Sequence, residues 1–357
     1  MKSANSLINK QRIKKLQKLL VRAKVDACLI DDPLNLFYLT GLKLSAGELF
    51  VGKKECQLFV DGRYIQAAKE KSNIPVALSG EETKKHFFQK AKYKTVAFDS
   101  SNTSYDRSQH LQALARKEKW ILKPLANPLR EIRGFKDAHE LECMRNSAQH
   151  LWKAFQHIKK LLKPGITEKE LALEFKIFGL KHGAECVGFE PIIAFGENSA
   201  FPHYRSGSRK LKKNDLVLMD LGLVVAGYHS DMTRVILFGN VDSELKKIYQ
   251  VVQRAQAAAL KLCKPGTYLK DLDLAAREEM KKEQLESYFV HGLGHGVGLE
   301  IHEFPKIKKE GRDKDVRLKA GMVITIEPGI YLPGKGGVRW EDTIIITSNG
   351  YENLYPT

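Results

Sequence analysis

Four acidic residues lie where acids are costly. Asp220 sits near the end of the apolar run LVLMDLG (216–222), and Asp231 lies in GYHSDMTRVILFG (227–239). Glu327 lies in MVITIEPGIYL (322–332) and Glu341 in GVRWEDTIIIT (337–347), with Arg339 two residues earlier on the same strand face. A carboxylate inside an apolar strand must be paired or metal-bound to offset its lost hydration. The stretch VVAGY between the two aspartates reads as a hairpin. A turn centred on Ala226–Gly227 sets Asp231 opposite Gly222. Asp220 and Asp231 then share one face, diagonally, about 7–8 Å apart along the backbone. A slip of one residue would separate them.

The segment HGLGHGVGLEIHE (291–303) supplies a different chemistry. His291 and His295 have the i, i+4 spacing that two zinc ligands take on a helix. Gly292, Gly294, Gly296 and Gly298 argue against a helix there, and no glutamate follows the first histidine. A glycine-rich loop instead lets backbone approach closely and turns imidazoles inward. His302 follows, on an expected strand, and His203 in ENSAFPHY occupies the corresponding place earlier in the chain. Four histidines beside four strand carboxylates point to one shared explanation, an active site.

The elements that must position these groups show in the hydrophobic pattern. The 357 residues suggest two domains. The first ~125 residues alternate short apolar runs with helical stretches, an α/β pattern. Pro124, Asn127 and Pro128 punctuate the next stretch, so the expected domains are 1–128 and 129–357. Beyond that boundary, helices are expected over about 138–162, 168–182, 243–262 and 269–282. Lys163-Pro164-Gly165 and Lys264-Pro265-Gly266, 101 residues apart, each separate two of these helices, and Gly-, His- and Pro-rich strands follow. The pattern reads as a duplicated helix–helix–strand unit. No run of ~18 apolar residues suggests a membrane span. Five cysteines, odd in number and without a Cys-x-x-Cys pair, fit buried free thiols in a reducing compartment.

Asp220, Asp231, His295, Glu327 and Glu341, in their His-x-x-Gly-His, Ile-Glu-Pro-Gly and Arg-Trp-Glu-Asp contexts, resemble the pita-bread dinuclear metallopeptidases. That group includes Xaa-Pro aminopeptidase, prolidase and methionine aminopeptidase. The resemblance covers about 138–357. The contexts DPLNLFYLTG (32–41) and LFVDGRY (58–64) resemble the creatinase-like N-terminal domain, which methionine aminopeptidases lack. The implied fold class is α+β: a pita-bread domain with a curved antiparallel sheet, preceded by a creatinase-like α/β domain. The resemblance implies two divalent ions, with Mn²⁺ expected and Co²⁺ or Zn²⁺ allowed by the ligand set. Asp231 and Glu341 would bridge them. Asp220 would complete one, and His295 and Glu327 the other. A water shared by the ions would attack the scissile carbonyl. Glu327 would shuttle its proton, His302 would stabilise the oxyanion, and His203 would hold the substrate. His291 would line a proline pocket. Arg339 would either orient Glu341 or bind a substrate carboxylate.

The expected function is thus a cytoplasmic Xaa-Pro aminopeptidase acting on peptides with proline second. A prolidase restricted to Xaa-Pro dipeptides is the alternative. The chain has no long insertion and no unambiguous extra arginine for a free carboxylate, which favours the aminopeptidase. A homodimer is the default assembly. The net charge of +17 admits nucleic acid as a partner of a metal-free binding module. The excess is dispersed, however, and such a module gains nothing from four strand acids. No membrane or nucleic-acid partner is therefore expected.

Overall fold

The computed structural model describes residues 2–356, with side chains from residue 8 onward. The chain forms two units, Met1–Ile132 and Arg133–Thr357.

The first unit is the expected α/β layer. Its strands are β1 (Ala27–Ile30), β2 (Glu48–Gly52), β3 (Cys56–Val60), β4 (Val76–Leu78), β5 (Thr95–Asp99) and β6 (Ile121–Leu125). They form one mixed sheet in the order β4-β3-β2-β1-β5-β6. The basic opening segment is the helix Lys2–Ala23. Its Ile13, Leu16 and Leu20 are buried while Lys10, Lys14, Lys15 and Lys18 face solvent, as their spacing requires.

The second unit carries the duplication. The helix Ala138–Lys159 opens on a capping box between Asp137 and Glu140, and Glu168–Lys181 opens on one between Thr167 and Glu170. The helices Ser243–Leu260 and Leu269–Lys281 repeat the pair. The backbone after each Lys-Pro-Gly is held in the same way. Gly165 N donates to Leu211 O and Gly266 N to Leu318 O, both at 2.9 Å. Leu211 N donates to Ile166 O and Leu318 N to Thr267 O, both at 2.8 Å. Both glycines need positive φ (94° and 96°) to turn the chain between helices.

Strands β7 (Cys186–Val187), β8 (Ile192–Phe195), β9 (Leu216–Val225) and β10 (Tyr228–Leu237) belong to the first half. Both β8 and β7 pair with β9, and β9 pairs with β10. All ten residues of β9 are buried, so the strand is covered on both faces. The second half contributes β11 (Gly294–Gly296), β12 (Glu303–Ile307), β13 (Val323–Ile326), β14 (Gly329–Leu332), β15 (Gly336–Arg339), β16 (Asp342–Ile346) and β17 (Tyr351–Asn353). Five of them order as β12-β11-β13-β16-β17, and β14 pairs with β15 alone.

Three local expectations change. The run 337–347 is not one strand. It breaks at Trp340–Glu341, because β15 pairs with β14 while β16 pairs with β13. Its partner breaks alongside, at Glu327–Pro328, where proline cannot donate to a ladder. His302 lies in the loop before β12, not on a strand. Finally, Cys28, Cys143 and Cys263 are buried free thiols, but Cys186 is exposed and Cys56 half-buried.

Candidate active site

The hairpin β9–β10 has the register its sequence predicts. Asp231 pairs with Gly222 and Asp220 with Thr233. Ala226 and Gly227, at φ 53° and 81°, form the tight turn that sets it. A Cβ at Gly222 would come within 2.8 Å of Ser230 O and 2.5 Å of the Phe189 ring, so only glycine fits opposite Asp231.

The second half brings the remaining acids to the same place. Glu327 and Glu341 occupy the two adjacent strand breaks. A buried Arg234 fixes the second break, donating to Glu341 O and to Asp342 Oδ1, both at 2.6 Å. Thr233 Oγ1 donates to Glu341 Oε2 at 2.7 Å, tying the carboxylate to the hairpin.

His295 is held between two glycines that cannot be larger. A Cβ at Gly294 would meet Thr325 O at 2.1 Å, and one at Gly296 would meet Phe304 O at 2.2 Å. His295 Nδ1 lies 3.1 Å from Gly296 O, an acceptor that fixes the ring proton there and leaves Nε2 free to ligate. That Nε2 is 3.2 Å from Glu327 Oε1 and 3.7 Å from Asp231 Oδ2. Ligand atoms of Asp231, His295 and Glu341 all lie within 4.8 Å of one another.

The electrostatics suit a bound cation. Asp220, Asp231 and Glu341 are 9%, 4% and 2% exposed. Burial, and then the neighbouring carboxylates, push Asp231 and Glu341 far above the usual carboxylate range. Burial raises Asp220 too, against the pull of Arg339. Glu327 is the exception: burial opposes its charge, but the His295 hydrogen bond and charge hold it at about 2. Asp220 Oδ1 and Asp231 Oδ1 are buried with no hydrogen-bond partner among the described residues. Crowded acids with orphaned oxygens beside a correctly turned imidazole fit divalent metal.

Arg339, 4% exposed, has its donors engaged. It reaches Asp220 Oδ2 at 2.6 Å, Tyr331 OH at 2.7 Å, Thr233 Oγ1 at 3.2 Å and Pro202 O at 3.4 Å. It orients Asp220 directly and touches Glu341 only through Thr233. From Tyr331 the chain of hydrogen bonds continues to His291 Nε2 at 2.9 Å, while His291 Nδ1 faces Gly292 O at 2.8 Å. Both ring nitrogens are thus used, and burial lowers the His291 pKa, keeping the ring neutral.

These groups floor a cavity of about 650 Å³. His203 and His302 line it, both exposed, and His302 stacks edge-on against His295 with ring centres 4.4 Å apart. Glu300 and Glu303 bracket His302 and are clamped from behind. Arg133 NH2 lies 2.6 Å from Glu300 and 2.7 Å from Glu303, and Lys136 Nζ lies 2.7 Å from Glu303. All nine residues singled out from sequence line this cavity. Sequence reasoning missed three cations at its rim: Arg205, Lys306 and Lys308. The stem of Lys308 lies across Gly292, where a Cβ would meet its Cγ at 2.5 Å. The alternation Lys306-Ile307-Lys308, beside a strand facing the site, was the available signal.

Residues 142–348 match the family described as Metallopeptidase family M24, and residues 12–134 match the Creatinase/Prolidase N-terminal domain. The chain is 36% identical over 351 residues to an Xaa-Pro dipeptidase of Pyrococcus furiosus, covering 98% of each chain. The solved Xaa-Pro dipeptidase from Bacillus anthracis is 30% identical with a TM-score of 0.92, again over 98% of each chain. The X-Pro aminopeptidase from Thermotoga maritima is 30% identical with a TM-score of 0.87, over 94% of this chain and 96% of its own. The dipeptidases head these resemblances, a shift from the aminopeptidase that the sequence alone favours. With its pita-bread unit, its creatinase-like N-terminal unit and its cavity of converging acids and histidines, the chain belongs to metallopeptidase family M24.

Proposed function

We propose that this protein is an Xaa-Pro dipeptidase, hydrolysing the bond between a first residue and a C-terminal proline. The observation that carries the reading is the rim of the cavity. Lys306 and Lys308 line the same cavity as the acids and histidines, and the free carboxylate of a dipeptide would end against them. The full-length likeness to dipeptidases supports the same choice.

The residues present fit two divalent ions. Asp220, Asp231, His295, Glu327 and Glu341 would hold them. Such a pair supplies a water of lowered pKa and polarises the scissile carbonyl. The chain's own groups do the rest. Arg339 keeps the Asp220 carboxylate aimed through its 2.6 Å hydrogen bond. Glu327, low in pKa and hydrogen-bonded to Thr325 Oγ1 at 3.2 Å, accepts a proton from the attacking water and returns it to the proline nitrogen as the C–N bond breaks. His302 donates to the carbonyl oxygen as negative charge develops there. His203 steadies the substrate from the cavity wall, and the neutral His291 ring packs against the pyrrolidine. An Xaa-Pro amide has no N–H to offer a binding strand, so shape must replace that hydrogen bond.

The resemblance to the Thermotoga maritima enzyme favours a second reading, an aminopeptidase that also accepts longer peptides. One assay separates them. The protein is stripped with a chelator, restored with Mn²⁺, and given Ala-Pro and Ala-Pro-Ala at equal concentration. Release of alanine from the dipeptide alone supports the proposal. Comparable release from the tripeptide makes it an aminopeptidase. No release from either, with Mn²⁺, Co²⁺ and Zn²⁺ each tried, refutes both.

A further inference from the structure

Glu168 is fully buried, yet among the described residues it has no cationic partner, and it belongs to no part of the metal cluster. It lies at the start of the helix Glu168–Lys181 and receives four hydrogen bonds from the last residue of β8 and the segment that follows it. Oε1 accepts from Phe195 N and from Asn198 Nδ2, both at 2.9 Å. Oε2 accepts from Tyr204 OH at 2.8 Å and from Gly207 N at 3.0 Å. A fifth bond, Asn198 Nδ2 to Tyr204 OH at 2.7 Å, closes the network across the loop. The donors span residues 195–207, and the middle of that span is Pro202, His203, Tyr204 and Arg205, all of which line the cavity.

The duplication provides an internal control. Gly165 and Gly266 are equivalent, so Glu168 corresponds to Leu269. The backbone agrees: Glu168 N donates to Arg209 O at 3.2 Å and Leu269 N to Val316 O at 3.0 Å. Leu269 is also fully buried, in an apolar core. The repeat therefore folds with an apolar side chain at this place, and the carboxylate in the first half answers to something specific to that half. What differs there is the loop carrying His203. Its other side is held by Arg339, which donates to Pro202 O at 3.4 Å.

We propose that Glu168 is a positioning residue for the proposed peptidase reaction, holding His203 and the adjoining cavity wall in the geometry that engages substrate. It touches neither substrate nor metal. The inference rests on the Xaa-Pro peptidase reading, so its test includes a measurement that needs no substrate. Glu168→Gln keeps the volume but turns an NH2 group toward two of the four donors. Misplacing a substrate-holding group by about 1 Å can cost up to roughly a hundredfold in rate. We expect kcat/KM for Ala-Pro to fall at least about tenfold, with bound metal per chain unchanged by elemental analysis. In a His203→Ala background the same substitution should change kcat/KM less than about twofold, because residues acting through one group are not additive. Amide hydrogen exchange should quicken over 196–207 and stay unchanged over 294–307. Tyr204→Phe, which removes a single donor, gives a milder version of the same pattern if E168Q fails to fold. Equal losses with and without His203, or a loss of metal in step with activity, would overturn the proposal. So would unchanged exchange over 196–207, even if the protein cleaves no Xaa-Pro substrate and the functional reading falls separately.

Discussion

Stripping the divalent ions should destabilise the second unit, and Asp231→Asn should reverse part of the effect. Asp220, Asp231 and Glu341 are at most 9% exposed and converge with Glu327. Two unit charges 4 Å apart repel by about 4 kcal/mol at an effective dielectric of 20. Without cations, that repulsion and the lost hydration weigh on the folded state alone. An ion present at a hundred times its Kd adds about 2.7 kcal/mol, so two ions add about 5 kcal/mol. In a domain of this size each kcal/mol moves Tm by about 2–4 °C, so loading with Mn²⁺ should raise Tm by about 10–20 °C. Asp231→Asn removes one negative charge and one ligand together. The stripped variant should melt at or above the stripped parent, whereas its gain on adding Mn²⁺ should fall below about half the parent's. Calorimetry of four samples, parent and variant with and without Mn²⁺, measures both signs. If parent protein melts at one temperature whether stripped or loaded, and elemental analysis finds no ion bound, the metal reading fails. If the variant is destabilised equally in both states, Asp231 is a structural group and the electrostatic argument is wrong.

Three further outcomes follow from the site. Replacing Lys306 and Lys308 together by Met should cut kcat/KM for Ala-Pro about tenfold but change Ala-Pro-amide less than about twofold, the modest size reflecting their exposure; equal losses on both would refute carboxylate recognition at the rim. Glu303 is opposed by burial, but Lys136 and Arg133 hold its pKa below the usual value. Its stabilising contribution is therefore present above the unfolded carboxyl pKa and lost as pH falls through the folded one. Glu303→Gln should flatten that acid limb in a pH–stability curve and cost about 3–5 kcal/mol at pH 7 by taking the counterion from the buried Lys136 and leaving Arg133 paired with Glu300; an unchanged limb would refute the clamp. Gly294→Ala, whose Cβ would stand 2.1 Å from Thr325 O, should lower stability by about 1–3 kcal/mol and reduce metal affinity, read by denaturation and by metal titration; a variant that binds Mn²⁺ as tightly as the parent would show that β11 can move away.

The hairpin carrying Asp220 and Asp231 was legible from its apolar flanks and its Ala-Gly turn, while its register was an assumption that the turn centred on Ala226–Gly227 bears out. The duplication was legible from the Lys-Pro-Gly triplets, which recur wherever two helices must part at a positive-φ glycine. The breaks at Glu327 and Glu341 were half legible. Pro328 marks the first, but nothing near Trp340 announces the second, which is set by strand pairing with β14 and by Arg234 reaching in from β10. Arg339 was identified without its partner, because Asp220 lies 119 residues away and only the folded sheet brings them together. Glu168 was invisible as a polar hub. In sequence it is the acid that follows a helix cap, and its four donors come from the end of β8 and the segment after it, which local patterns leave undefined.

The ligand set is divided between the two halves, and that division imposes an order on maturation. Asp231 and Glu341 are 110 residues apart in the chain. At synthesis rates of about 5–20 residues per second, the acidic hairpin waits roughly 5–20 s before its last counterpart exists. At the start of that interval the nascent chain carries aspartates bound for a buried cluster, with His295, Glu327 and Glu341 still to be made. Ion capture is therefore a late event, following closure of the second half over the first. Which ion occupies the enzyme is decided by the metals available to the finished polypeptide, and an interrupted translation product ends as an unmetallated fragment without hydrolytic capacity.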